Sequence, residues 1–313
     1  MTTLVHAYHN VIEHETKRKM ATHEVKASAF KALKDLLRRT MIRHTKSQRI
    51  QGAVALALPD EVCSTIFLDM TAAERRQYVD ALNRPMKPAT TRRLAEGGKT
   101  FGLEMDLALR RHVCSRGVTK LAALRQDLRK VRSGGEDIHA VVFTAFKDVH
   151  ASVVAALKQD GFDVYEFSGG TDAKRRHEMI RDFQSSLFQT HSSTSSTSSS
   201  SSSSATDCEA DSTKKAATKV FVITMRTGAV GITLTAASTV YLMEPCLDPS
   251  TEMQAAGRIH RLGQTKQVLV KRFVFRSTIE EMVCIAHKKI TEGEVAITDS
   301  VFPAELVKLL TSK

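Results

Sequence analysis

Two arginines and a glutamine in QAAGRIHRLGQ, residues 254–264, have the spacing of a phosphate-binding surface. In a helix, Gln254, Arg258 and Arg261 occupy positions i, i+4 and i+7, which places them on one face. The guanidinium of arginine is planar, keeps its positive charge and presents several donors that fit phosphate oxygens. Gly257 has no side chain and therefore leaves room for a ligand beside Arg258. The stretch therefore predicts a helix face suited to grip a polyphosphate.

The residues around this stretch predict where its helix begins and ends. Asp248 is placed as the N-cap, Pro249 as the first helical residue and Gly263 as the terminator. On a helix considered alone, two arginines are more often paired with surface carboxylates or bound to DNA in a general way. The choice between these readings depends on the elements that precede and follow the helix.

A glycine- and threonine-containing loop, MRTGAVGITLTAA at 225–237, lies between two predicted strands. Gly228 and Gly231 allow a close approach of the backbone to a phosphate, and Thr233 and Thr235 offer hydroxyls. GAVG is not the GxGxxG of dinucleotide-binding loops. The GKT within EGGKT, residues 96–100, does not make a P-loop either, because Arg93 occupies the position of the required glycine.

Short apolar runs alternate with helical segments over the second half of the chain. The predicted strands are VVFTAF (141–146), VYEFSGG (164–170), KVFVIT (219–224), TVYLME (239–244) and VLVKRFVF (268–275). This alternation predicts an α/β fold with a parallel sheet and helices on both faces. A serine-dominated stretch at 185–213 interrupts this domain and is predicted to be a disordered loop.

The first 120 residues have a different pattern and are predicted to form a mainly helical, basic accessory region. They include one predicted strand, EVCSTIFLDM at 61–70, and a capping box, TAAE at 71–74, that opens a helix. Residues 121–290 are predicted to form the α/β domain, and residues 291–313 a helical tail.

The charge balance favours a polyanionic partner. Lysine and arginine outnumber aspartate and glutamate by 46 to 34, which gives a net charge of +12. No run of 18 apolar residues occurs, and MTTLVHAYHN lacks the order of a signal peptide, so we expect a soluble intracellular protein without a membrane partner. Five cysteines without a CxxC pair give no indication of a metal site.

The ordered motifs resemble the second RecA-like lobe of the Swi/Snf-type ATPases, the DNA-translocating branch of helicase superfamily two. The resemblance covers roughly residues 30–290 and rests on LLRRTMIRHTKSQ, VVFTAF, FSGGTDAKRRHEMIRDF, MRTGAVGITLTAA and QAAGRIHRLGQTKQV. The ending HRLGQ separates the chain from the DEAD-box RNA helicases. LMEPCLDPSTEMQAAGRIHRLGQTK is most similar to the RING-bearing, ubiquitin-ligase-linked branch, although the chain has no RING.

The resemblance implies a role for each group of residues. ATP with Mg²⁺ would be bound mainly by a first lobe, with Arg261 as the main finger and Arg258 beside it, both reaching the terminal phosphates. Gln254, Gly257, Gly228 and Gly231 would complete the nucleotide side. The remaining loop threonines and two short segments would touch the DNA backbone; these residues are Thr144, Ser168, Gly169, Gly170, Thr171, Thr233 and Thr235.

A first lobe, with its P-loop and acidic magnesium motif, is not found in this sequence. We therefore expect either a fragment or a shortened gene product that hydrolyses no ATP alone. Its predicted partners are double-stranded DNA or chromatin and the first helicase lobe, and the family implies a nuclear location. The competing hypothesis is a non-catalytic module, from a truncated gene, that only binds nucleic acid or chromatin.

Overall fold

The computed structural model describes two separate units, residues 1–57 and 58–313. Described residues are 56–83, 109–134, 139–167, 171–185, 218–225 and 232–292, with Asp35, Arg39, Thr40, Lys46, 49–50 and 52–54. In the first unit, β1 (Arg49–Ile50) pairs antiparallel with β2 (Ala53–Val54). Gly52 lies between them at φ +83°, a conformation that glycine adopts without strain. The predicted serine-rich loop, most of the basic N-terminal region and almost all of the predicted C-terminal tail lie outside the described residues.

The second unit is built on a parallel sheet of six strands among the described residues. The strands are β3 (Glu61–Leu68), β4 (His139–Thr144), β5 (Asp163–Phe167), β6 (Lys219–Thr224), β7 (Thr239–Leu242) and β8 (Val268–Phe275). Their order across the sheet is β3-β8-β7-β4-β6-β5. Every residue of β4 is buried, as a central strand covered on both faces requires.

Helices cover both faces of this sheet. They are α1 (Ala72–Asn83), α2 (Val118–Ser133), α3 (Lys147–Gln159), α4 (Ala173–Gln184), α5 (Pro249–Ala256) and α6 (Ile279–Thr291). Alternate residues of β4 face two different cores: Val141 and Phe143 pack with α4 and α5, whereas Ala140 and Val142 pack with α2 and α3. The predicted α/β fold with helices on both faces is confirmed.

The strand that we placed in the N-terminal region is an edge strand of the same sheet. β3 pairs in parallel with β8 along its whole length, from Glu61 beside Val268 to Leu68 beside Phe275. The compact unit accordingly begins at Leu58, far ahead of the boundary expected near residue 120. The eight-residue ladder is a long-range pairing, which no local pattern around residue 61 could indicate.

The capping box that opens α1 forms as its sequence predicts. The Thr71 amide donates to Glu74 Oε2 at 2.7 Å, and the Glu74 amide donates to Thr71 Oγ1 at 3.3 Å. Glu74 also accepts from the Thr119 amide at 2.9 Å, in the first turn of α2. Burial works against the charge of this carboxylate, but its hydrogen bonds outweigh that effect and lower the pKa of Glu74.

Candidate functional site

The helix that carries the candidate polyphosphate face is shorter than the sequence predicts. Asp248 caps it by accepting from the Ser250 amide at 2.9 Å, and Pro249 is its first residue, as expected. It ends at Ala256 with Gly257 as the C-cap, so the expectation of one helix reaching Gly263 is wrong. Gly263 has φ +97° and closes a non-helical turn instead. Arg258 and Arg261 lie in this segment, residues 257–264, which we call the arginine turn.

Tertiary contacts explain why the helix stops there. The side chain of Ile259 is completely buried in the core against the sheet. The Arg258 carbonyl accepts from the Leu234 amide at 2.9 Å, which ties it to the preceding loop. A Cβ on Gly257 would lie 3.1 Å from the Met253 carbonyl oxygen, so a larger residue is crowded at this cap. The three predicted side chains Gln254, Arg258 and Arg261 therefore do not share one helical face.

The arginine turn packs against residues 232–237, which we call the threonine loop. Arg261 is exposed, and its Nη1 donates to Thr233 Oγ1 at 3.1 Å. Gln254 is exposed on α5, and Arg258 is half-buried. The structure thus brings a predicted finger next to a predicted loop hydroxyl, although the two residues are 28 positions apart in the chain.

Gln264 fastens the arginine turn to the threonine loop. Its side chain is almost fully buried, and Nε2 lies within hydrogen-bonding distance of the carbonyls of Thr235 (3.2 Å), Ala237 (2.8 Å) and Ile259 (3.3 Å). Its Oε1 accepts from the amides of the two residues that follow it, at 3.0 and 2.9 Å. The sequence analysis used this glutamine only as part of HRLGQ and did not predict its buried position.

Two further residues that the sequence analysis missed hold these segments in place. Gln184, the last residue of α4, donates to the Thr233 carbonyl at 3.1 Å and accepts from the Ala236 amide at 2.7 Å. His260 contacts the start of β3 through the Pro59 carbonyl and Glu61, each at 2.7 Å. Both act over long sequence separations, and neither stretch carried a local signal for such a role.

Thr144 lies at the carboxyl end of β4 and is completely buried. Its hydroxyl donates to Glu244 Oε1 at 3.0 Å, and the amide of Ala145 also donates to Glu244. Burial raises the pKa of Glu244, although these hydrogen bonds favour the charged form. In this structure the Thr144 hydroxyl therefore supports the strand end and is not presented at the surface.

Of the other predicted DNA-contact residues, Thr233 and Thr235 lie in the threonine loop beside Arg261 and Gln264. The rest lie at the start of α4 or outside the described residues. Thr171 is partly exposed and precedes Asp172, whose side chain caps α4 by accepting from the Lys174 amide at 3.1 Å. Ser168, Gly169, Gly170, Gly228 and Gly231 lie outside the described residues. The exposed surface of α4 is rich in basic side chains, namely Lys174, Arg175 and Arg181.

The predicted residues fall at opposite ends of the sheet. Thr144 and Thr171 follow the carboxyl ends of β4 and β5. The threonine loop instead leads into the amino end of β7, where the Ser238 amide donates to the His139 carbonyl at the first residue of β4. α4 connects the two ends, because it starts beside Thr171 and ends at Gln184 on the threonine loop.

Within the described residues, no group of three His, Cys, Asp or Glu side chains is placed to hold a metal ion. Nor does any helix in the described ranges have the length and apolarity needed to cross a membrane.

Comparisons with known proteins agree with this architecture. Residues 187–263 match the model of the helicase conserved C-terminal domain. The SWI2/SNF2 ATPase core domain of Sulfolobus solfataricus has a similar fold, with a TM-score of 0.54 at 17% identity over 87% of this chain and 52% of that one. The same core in complex with double-stranded DNA gives a TM-score of 0.51 at 18% identity, over 84% and 51% of the two chains. The fold is therefore RecA-like, and the chain carries a helicase C-terminal domain.

The sequence relatives are proteins of the Swi2/Snf2 type. The DNA repair protein RAD5 of Saccharomyces cerevisiae is 28% identical over 186 residues, which are 58% of this chain and 14% of RAD5. RAD5 of Candida glabrata is 31% identical over the same shares, and the human helicase-like transcription factor is 28% identical over 55% and 14%. The aligned part of this chain thus spans about a seventh of these relatives. The chain carries the helicase C-terminal domain of a Swi2/Snf2-type protein and is related to RAD5 and the helicase-like transcription factor.

Proposed function

We propose that this chain acts as the second lobe of a DNA-dependent ATPase that translocates on duplex DNA or remodels chromatin. Arg261 supplies the main arginine finger, and Arg258 acts beside it, toward ATP held with Mg²⁺ by a first lobe. The observation that carries the proposal is the exposed Arg261 guanidinium, which is anchored on Thr233 within a helicase C-terminal fold.

The side chains of the arginine turn fit the phosphate part of a nucleotide. A guanidinium has five N–H donors, and Arg261 uses one terminal nitrogen to donate to Thr233, which restrains the side chain and leaves its other donors for phosphate oxygens. Gln254 is exposed on α5 and can add a neutral donor. In this proposal a first lobe supplies most of the ligands of the Mg²⁺ that accompanies ATP.

Bound ATP would supply the transferable phosphoryl group, and the residues of this chain would stabilise the charge that develops on it. An exposed arginine keeps its proton at any physiological pH, so it can neutralise phosphate oxygens without a proton transfer. Arginine fingers are worth about 10³–10⁵ in rate. Gln264 and Thr233 would hold the finger in place so that little reorganisation is needed when lobes close.

The DNA side of the proposal uses the opposite end of the sheet. Residues 168–171 and the basic surface of α4 would contact the phosphate backbone, with Thr144 supporting the strand end through Glu244. Gly228 to Thr235 would couple this contact to the nucleotide. The net charge of +12 supports binding to a polyanion, and a nuclear location is part of the proposal.

Binding and hydrolysis by the isolated chain test the first half of the proposal. Fluorescence anisotropy with duplex DNA should show affinity that falls steeply with salt, because phosphate contacts release counterions. The same preparation should hydrolyse no ATP with or without DNA. DNA-stimulated hydrolysis by the chain alone would contradict the proposal that ATP is bound mainly by a separate first lobe.

A two-lobe protein tests the finger. The first lobe of the Sulfolobus solfataricus core, joined ahead of this chain, should hydrolyse ATP when duplex DNA is added. Arg261→Ala should lower that rate by about 10³-fold or more while nucleotide binding persists. Arg276→Ala is the matched control, since this exposed arginine pairs with Asp69 at the far end of β8. Equal hydrolysis by the Arg261→Ala and Arg276→Ala proteins would refute the finger role, and a fusion that binds DNA without hydrolysing ATP would favour the non-catalytic module.

A further inference from the structure

A groove of about 780 Å³ lies between β3, α5 and α6, and neither Arg258 nor Arg261 lines it. Its exposed surface is mostly apolar. Three large side chains on its walls are exposed to unusual degrees for apolar residues: Phe67 at 39%, Met253 at 68% and Ile285 at 47%. Phe67 belongs to β3, Met253 to α5 and Ile285 to α6, so three elements together form the surface of the groove.

An apolar surface of this kind usually marks a place where another segment or molecule packs. Single exposed apolar residues need no partner, but these three line one concave site together with the aliphatic side chains of Ala256 and Val270. The face of β3 that lines the groove belongs to the edge strand of the sheet. The groove therefore offers hydrophobic contacts to a short amphipathic segment.

The sequence contains such a segment a few residues after Glu292, the last residue of the groove lining. α6 ends at Thr291, and Lys288 and Glu292 at that end belong to the groove lining. Residues 301–310, VFPAELVKLL, lie outside the described residues, but their sequence spaces Phe302, Leu306, Leu309 and Leu310 at helical intervals. This pattern gives one apolar stripe, as in peptides that bind grooves with an amphipathic helix.

The tether between groove and segment is short enough to favour docking within one molecule. The eight residues 293–300 span at most about 26–29 Å when extended. Short flexible tethers produce effective concentrations in the millimolar range. At such a concentration, a segment with a dissociation constant near 0.1 mM would be docked about ten times as often as it is undocked. This population ratio corresponds to a free-energy difference of roughly 1.4 kcal/mol.

We propose that residues 301–310 dock in this groove and cover Phe67, Met253 and Ile285. The proposal is independent of the ATPase function proposed above, because the groove contains neither arginine of the arginine turn. Docking would cover the exposed apolar side chains of the groove beside the edge strand β3.

Cys63 provides a reporter within the groove. It lies on the groove wall and is exposed, whereas Cys114 and Cys246 are buried elsewhere. In the full chain, modification of Cys63 by a neutral maleimide, followed by peptide mass spectrometry, should be slow because the docked segment covers the thiol. Leu309→Glu should speed it about tenfold, since a charge on the apolar stripe opposes burial.

Two variants serve as matched controls. Val307→Glu also replaces an aliphatic residue by glutamate, but at a position outside the apolar stripe. It should leave the rate of Cys63 modification as in the parent chain. Met253→Glu changes the groove wall at an exposed position and should give the same acceleration as Leu309→Glu. Unchanged protection of Cys114 and Cys246 shows that each variant remains folded.

The alternatives give different results. Equal Cys63 rates in the parent chain, Leu309→Glu and a chain ending at Ser300 would overturn the proposal. Protection of Cys63 that increases with protein concentration would also overturn it, and would assign the groove to a second copy of the chain.

Discussion

Replacing Gln264 by methionine should loosen the attachment of the arginine turn to the threonine loop. Methionine has a similar volume and no hydrogen-bonding amide, so the change removes the polar contacts without creating a large cavity. The side-chain amide of Gln264 contacts three carbonyl oxygens and two backbone amides, and its bonds to the Ala237 and Ile259 carbonyls are buried. The variant therefore tests whether this one side chain holds the two segments together.

The contacts allow the cost to be worked out. A hydrogen bond contributes about 0.5–1.5 kcal/mol net, and a buried carbonyl left without a donor costs about 1–3 kcal/mol. Two amide hydrogens shared among three carbonyls, together with two accepted bonds, give a loss of about 3 kcal/mol for Gln264→Met. For a unit of this size, each kcal/mol lowers Tm by about 2–4 °C, so we expect a decrease of roughly 6–12 °C.

Thermal unfolding followed by circular dichroism, with urea unfolding in parallel, measures this change. Gln254→Met is the control, because Gln254 is exposed on α5 and its replacement should alter stability by no more than about 0.5 kcal/mol. In the two-lobe fusion, Gln264→Met should also lower DNA-stimulated hydrolysis, since Arg261 loses its fixed support. A Tm for Gln264→Met equal to that of Gln254→Met would refute the reasoning.

Three further outcomes concern the rest of the lobe. Lys120→Met should cost about 3–5 kcal/mol in urea unfolding, because it strands Glu280, 2.5 Å away and fully buried; adding Glu280→Leu should restore most of the loss. Hydrogen bonds from Arg125 and Arg129 hold the pKa of Asp160 far below its usual value. Its stabilisation is present above the unfolded pKa near 3.9 and lost as pH falls through the native pKa, so Asp160→Asn should destabilise at pH 7 and converge with the parent chain in acid. Gly117→Ala should lower stability by about 1–3 kcal/mol in calorimetry, since the new Cβ would lie 2.7 Å from Phe275 Cε2.

The sequence predicted the strands and helices well where the pattern was local. β6 and β8 have the bounds that their apolar runs indicate, and the capping box at Thr71 and Glu74 forms as expected. The end of α5 was not predictable in the same way. Gly257, Arg258 and Ile259 are compatible with a helix, but burial of Ile259 and the bond from Leu234 to the Arg258 carbonyl stop it.

The contacts among the candidate site residues were not predictable from the sequence. The spacing of Arg258 and Arg261 predicted a shared helix face, which does not form, and the contacts of Arg261 with Thr233 and of Gln264 with the threonine loop emerge only in three dimensions. For Thr144, the family resemblance implied a contact with DNA, but Glu244, a hundred residues later, accepts a hydrogen bond from its hydroxyl in the interior.

The sequence by itself determined the class of fold, because the alternation of apolar strands with helices is a local pattern, and its ordered motifs carried the resemblance to Swi/Snf-type ATPases. The tertiary structure decided that β3 completes the sheet beside β8, that Arg261 rests on Thr233, and that Gln264 joins two loops. The physical reason is that hydrogen bonds and burial across a sheet join residues 28 to 207 positions apart, as in Arg261–Thr233 and Arg272–Thr65. Local propensity and periodicity carry no information about such partners.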